Sequence, residues 1–90
     1  MQIKLDIQED NVQKIAEQIK VLGNPKNLLI LLSLQEKPLS LDEVHEKIMK
    51  KSYLHRESTY RALEKLVRNN FLKKEYDQTK KKIIYIQNPM

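Results

Sequence analysis

The sequence predicts an α+β domain, mainly helical, in which four helices are followed by a β-hairpin. Three observations carry that expectation. Apolar residues recur at helical spacing between residues 10 and 69. Capping residues and stops divide that stretch into separate helices. After Asn70 the period falls toward two, and branched and aromatic residues take over. The 90 residues fit one domain, expected over 1–90, with no repeat or linker-like tract. Leu, Ile, Val and Phe make up 30 % of the chain, above the level where disorder is expected.

The first helix is expected over 10–22. Val12, Ile15, Ala16, Ile19 and Leu22 form one apolar stripe. Asp10 with Gln13, or Asp6 with Glu9, can form the capping box, and Gly23 is expected to supply a left-handed stop. Asn24 then caps a second helix over 25–36, with Pro25 at its first position. Leu28 to Leu32 and Leu34 are apolar on nearly every side, which predicts a central, buried helix. Ser40-Leu41-Asp42-Glu43 is a capping box ahead of a third helix over 41–51, with Leu41, Val44 and Ile48 inward. Leu39 is placed to join a short strand. A turn at 52–54 leads to a fourth helix over 55–69, whose inner face is Thr59, Ala62, Leu63, Leu66 and Val67. Asn69-Asn70 ends it, because Asn tolerates left-handed backbone. Residues 71–76 and 82–86 read as two strands of a hairpin spanning 71–86, joined by a mobile loop at 77–81.

The charge is uneven. Residues 1–45 carry five Lys against seven Asp or Glu, whereas residues 46–90 carry nine Lys and three Arg against five. A basic half points to a polyanionic partner, nucleic acid before acidic membrane. The absence of cysteine excludes disulfides, thiolate metal sites and cysteine nucleophiles. The longest apolar run, Leu28–Leu32, is far short of the roughly 20 residues of a spanning helix. A soluble, cytoplasmic protein is expected, without a cofactor. His45 and His55 do not form a metal-ligand set with the scattered carboxylates. No nucleophile signature or glycine-rich phosphate loop supports an enzyme.

The predicted order of elements is that of a winged helix-turn-helix. In such a fold the second helix of the motif is held by its inner face and offers cations to DNA from its first turns. All three arginines, Arg56, Arg61 and Arg68, lie on the fourth helix. The candidate recognition-helix contacts are His55, Arg56, Ser58, Tyr60, Arg61 and Lys65. His55 fits a turn-capping role equally well. Pairing of Arg61 and Arg68 with Glu57 and Glu64 is the competing explanation, expected for Arg68 rather than for Arg56 and Arg61 at the motif start. Glu57 repels phosphate unless it faces a cytosine amino group or orients Arg61. The hairpin carries Lys73, Lys74, Lys80, Lys81 and Lys82. The last three are placed as the wing's DNA contacts, although lysines also guard a hairpin edge against self-pairing. Lys47, Lys50, Lys51 and Ser52 are candidate backbone contacts.

Val21-Leu22-Gly23-Asn24-Pro25-Lys26-Asn27-Leu28-Leu29-Ile30-Leu31 resembles the start of the second helix in ArsR-type winged-helix repressors. Their pattern is approximately Leu-Gly-(Asn/Asp)-Pro-x-Arg-Leu-x-Ile-Leu. Ser58-Thr59-Tyr60-Arg61-Ala62-Leu63-Glu64-Lys65-Leu66, followed by Asn70-Phe71-Leu72, resembles the recognition helix and start of the wing in ArsR, MarR, PadR and ferric-uptake regulators. Asn27 stands where that pattern has Arg, and Asn70 where it has Gly. Small archaeal and archaeal-virus regulators are similar in size, lysine content and lack of cysteine. The resemblance implies a homodimeric, DNA-binding transcription regulator, with a repressor expected.

The stripe on the first helix, through Val12, Ile15 and Ile19, is the expected dimer interface. Two-fold symmetry would let two recognition helices read half-sites roughly 34 Å apart. The competing function is a winged-helix module that binds protein in a larger assembly. RNA binding ranks third, since only Tyr76 and Tyr85 could form a stacking platform.

Overall fold

Twelve apolar side chains between Val21 and Tyr85 converge on one core, and Ile30, Val44, Leu63 and Leu66 within it are fully buried. The computed structural model describes residues 11–52 and 55–89, and the side chains of 49–52 lie outside that description. The elements are α1 (Val12–Leu22), α2 (Pro25–Ser33), β1 (Leu39–Ser40), α3 (Leu41–Ser52), α4 (Arg56–Arg68), β2 (Leu72–Asp77) and β3 (Lys82–Gln87). The three strands form an antiparallel sheet in the order β1-β3-β2. β1 pairs Leu39 with Tyr85 and Ser40 with Ile84.

The caps explain where the helices start. The Asn24 side chain accepts from the Lys26 backbone N–H at 2.9 Å, with Pro25 beginning the helix. Glu43 accepts from the Ser40 backbone N–H at 3.0 Å, and the Glu43 N–H donates to the Ser40 hydroxyl at 3.3 Å. This reciprocal box satisfies two orphan donors of α3. Asp6, Glu9 and Asp10, the acidic members of the two expected caps on α1, lie outside the described residues. Asn11 occupies the cap position and makes no side-chain cap bond.

Two expectations are corrected. Gly23 is not left-handed: its φ is −73° and ψ −7°, so α1 ends without using glycine's freedom. The Val21 carbonyl at this end accepts from the Asn24 backbone N–H at 3.3 Å and from the buried Asn27 amide at 2.9 Å. α2 stops at Ser33, short of the expected 36, and it is not buried all round. Leu28 is 46 % and Leu32 60 % exposed, because the other elements pack on one side of α2 only. The loop between β2 and β3 is longer than a two-residue turn, as expected, and is hydrogen-bonded within itself. Asp77 accepts from the backbone N–H groups of Thr79 and Lys80 at 2.8 and 3.1 Å, and Lys81 takes the left-handed conformation at φ 56°.

The end of α4 follows the sequence closely. Asn70 is left-handed at φ 66°. The Asn70 N–H bonds the Val67 carbonyl and the Phe71 N–H bonds the Leu66 carbonyl, both at 3.0 Å. That is a Schellman stop with Asn in the glycine position, and buried Phe71 and Leu66 supply its hydrophobic partner contact.

Candidate nucleic-acid interface

α4 is anchored by one face. Thr59, Leu63 and Leu66 are each 0 % exposed. The Thr59 hydroxyl lies 2.8 Å from Nδ1 of His45 on α3 and 3.4 Å from the His55 carbonyl oxygen. The His45 contact couples the two helices of the motif, and the buried row sets the rotation of α4. His55 sits at the cap position with extended backbone, and its exposed ring makes no cap bond.

With that rotation set, the other faces divide. Arg56 and Tyr60 turn toward the hairpin. With Asp42, Lys74, Lys82 and Ile83 they line an open groove of about 320 Å³ between α4 and the wing. On the opposite flank Ser58, Arg61 and Lys65 line a second groove of about 280 Å³, completed by Asn24, Lys26 and Asn27 at the start of α2. Lys26 is the residue that sequence reasoning missed. The Asn24-Pro25 cap locates it at a helix start, but nothing in the sequence indicates that this start abuts α4. Lys74 was legible only as one hairpin lysine among five; the structure turns it to the groove.

Two of the arginines are paired at short range: the Glu57–Arg61 contact fits the role of Glu57 in orienting that arginine, whereas the pairing of Arg56 runs against the expectation that it stands apart. Arg56 Nε donates to Asp42 at 2.7 Å, and Arg61 Nη2 donates to Glu57 at 2.6 Å. The Arg56 guanidinium hydrogen-bonds Asp42 and holds its carboxyl below the usual carboxylate range. Glu64 is taken by the wing rather than by Arg68. Lys74 Nζ donates to it at 2.9 Å, and the buried Tyr85 hydroxyl donates at 3.1 Å. Burial, reinforced by Glu64, pushes the Tyr85 phenol above its ordinary range. Tyr85 is thereby a core residue, 3 % exposed, while Tyr76 is 60 % exposed. The two do not form a stacking platform.

The three wing lysines take three positions. Lys80 reaches back to Glu43 of α3 at 3.2 Å. Lys81 is exposed at the left-handed residue of the loop, and Lys82 lines the α4–wing groove. Lys47 is exposed on α3, whereas the side chains of Lys50, Lys51 and Ser52 lie outside the described residues. On α1, Val12 is 47 % and Ile19 53 % exposed. Ile15 is 7 % exposed, turned into its own domain rather than to the surface.

Among the described residues no group of three or more His, Cys, Asp or Glu could hold a metal ion, and no helix is long and apolar enough to cross a membrane.

Helices α3 and α4 form the helix-turn-helix, and β2 and β3 form the wing, so the fold is a winged helix-turn-helix. The same arrangement is found in solved structures. NolR from Sinorhizobium fredii is 24 % identical, over 99 % of this chain and 83 % of that one, with a TM-score of 0.74. HlyU from Vibrio cholerae N16961 in its reduced form is 21 % identical, over 91 % and 80 %, with a TM-score of 0.71. The transcriptional repressor BigR from Xylella fastidiosa is 20 % identical, over 90 % and 76 %, with a TM-score of 0.69. At these identities the likeness is one of fold. No protein-family model matches the chain, and no curated protein does.

Proposed function

We propose that this protein is a sequence-specific regulator of transcription that binds double-stranded DNA, acting as a homodimeric repressor. In this reading α4 enters the major groove and the wing rests on the flanking groove. The observation that carries it is the pair of basic grooves on either side of α4, with Arg56, Lys74 and Lys82 on one flank and Lys26 and Lys65 on the other. Cations on both flanks suit the two phosphate backbones that border a major groove. Every short ion pair in this region is solvent-exposed or partly so, so a phosphate can replace each carboxylate with little loss of folding stability. BigR, of like fold, is a transcriptional repressor, which supports the same role here.

The test is fluorescence anisotropy against the protein's own upstream DNA and a scrambled duplex across a salt series. Tighter binding to the upstream duplex, better retained in salt, is the expected result. Equal binding to both, erased by salt, would argue against sequence reading of that DNA.

The dimer is read from Val12 and Ile19, which leave an exposed apolar stripe on α1. Replacing Ile19 by Glu is expected to convert a dimer to a monomer in sedimentation at micromolar concentration. A wild-type monomer under those conditions would end this part of the reading. The exposed Leu28 and Leu32 of α2 favour a second reading, a protein-interaction module. Failure to bind any duplex at low salt would select it.

A further inference from the structure

The rotation of α4 turns Glu57 and Arg61 away from the buried Thr59, Leu63 and Leu66, with Arg61 also on the edge of the groove toward α2. Their side chains are 73 % and 76 % exposed and already joined at 2.6 Å. A carboxylate on a DNA-facing helix is tolerated only away from the phosphates, over the middle of the groove. There the partners on offer are base edges. A G·C pair presents guanine N7 and O6 as adjacent acceptors and the cytosine amino group as a donor beside them. A guanidinium hydrogen-bonded to a carboxylate presents the matching series, free N–H donors beside an acceptor oxygen. An A·T pair offers its amino donor between two acceptors and mismatches that series.

We infer that Glu57 and Arg61 act together as the specificity-determining pair and read one G·C base pair in each half-site. Arg61 donates to guanine and Glu57 accepts from the cytosine amino group. The inference rests on the DNA-binding reading above. It also gives the two arginines different roles. Arg61 reads a base, while Arg56, in the wing groove with Asp42, contacts the backbone.

The experiment is selection from a random duplex library with the full chain, in the wild-type form and as Glu57→Ala and Glu57→Gln. Because the pair is exposed, both variants should keep the wild-type thermal unfolding midpoint. The wild type should enrich a motif containing a fixed G·C pair. Both variants should keep the rest of the motif; Glu57→Ala should lose the preference at that pair by roughly tenfold or more, in line with the worth of one good base contact, and Glu57→Gln, whose amide oxygen still accepts, should lose less. An unchanged preference in both variants would overturn the pairing while leaving DNA reading intact. Failure of the wild type to enrich any motif would instead overturn the DNA-binding reading, and this inference with it.

Discussion

Gly23 and Asn70, each at the end of a helix, take opposite backbone conformations. Gly23, the one glycine of the chain, adopts ordinary helical backbone, and a Cβ there would meet the Ile19 and Lys20 carbonyl oxygens at 3.5 Å, normal contact distance. Asn70 occupies the left-handed position instead. Replacing Gly23 by Ala should therefore stabilise the protein by about 0.4–1 kcal/mol, by restricting the unfolded chain. Replacing Asn70 by Ala should destabilise it by about 1 kcal/mol, the cost of a Cβ in left-handed backbone without asparagine's local bonding. Urea unfolding of the two variants checks both signs. A destabilised Gly23→Ala would mean that the end of α1 needs glycine after all. Asn70 was legible as the stop of α4, because Asn is the best left-handed residue after Gly. The conformation of Gly23 was not legible, because glycine permits either hand at a helix end and one of the carbonyls there is also held from the next helix by the buried Asn27 amide.

At the scale of elements, the capping box of α3 is joined to the wing. Glu43 holds the Ser40 N–H and also takes Lys80 from the β2–β3 loop. The Ser40 backbone bond, with Lys80 beside it, holds the Glu43 carboxyl at about 2 instead of the usual 4.5. A depressed carboxyl stabilises the fold fully above its unfolded value and loses that contribution as pH falls through the folded value. Wild-type stability is thus expected to decline between about pH 4.5 and 2, in part through this group. Glu43→Gln should lower the urea midpoint at pH 7 and flatten the decline over that acid window. An identical pH profile in the variant would show that Glu43 carries none of it. The box was legible from Ser40 and Glu43 three residues apart. Its link to the wing was not, since Lys80 is brought to it only when β3 pairs with β1.

For the whole molecule, the relevant quantity is the charge on the two flanks of α4. Lys74 and Lys82 lie on the wing side and approach one strand of a bound duplex in the proposed complex. Replacing either by Ala should weaken binding to specific and random duplexes alike and lower the slope of log affinity against log salt by about one. The anisotropy series across salt measures this directly. A loss confined to one sequence, with the slope unchanged, would assign these lysines to base reading instead. Removing Lys74 also strips Glu64 of its ion-pair partner, and that charge would then stand unopposed beside the phosphates. The effect at Lys74 should therefore exceed that at Lys82.

Periodicity and local chemistry were enough to establish the order of elements, the caps of α2 and α3, the stop of α4 and the buried row Thr59, Leu63 and Leu66. Each depends on residues within a turn or two of one another, and such short-range rules are written in the chain itself. Only the tertiary structure decided which cations share a groove, which carboxylate each one pairs with, and which apolar faces stay uncovered. Arg56 meets Asp42, Lys74 meets Glu64, and Leu28 and Leu32 are left exposed because helices and strands distant in sequence pack at particular rotations. Those rotations are set by the shared core, to which every element contributes and which no single segment contains.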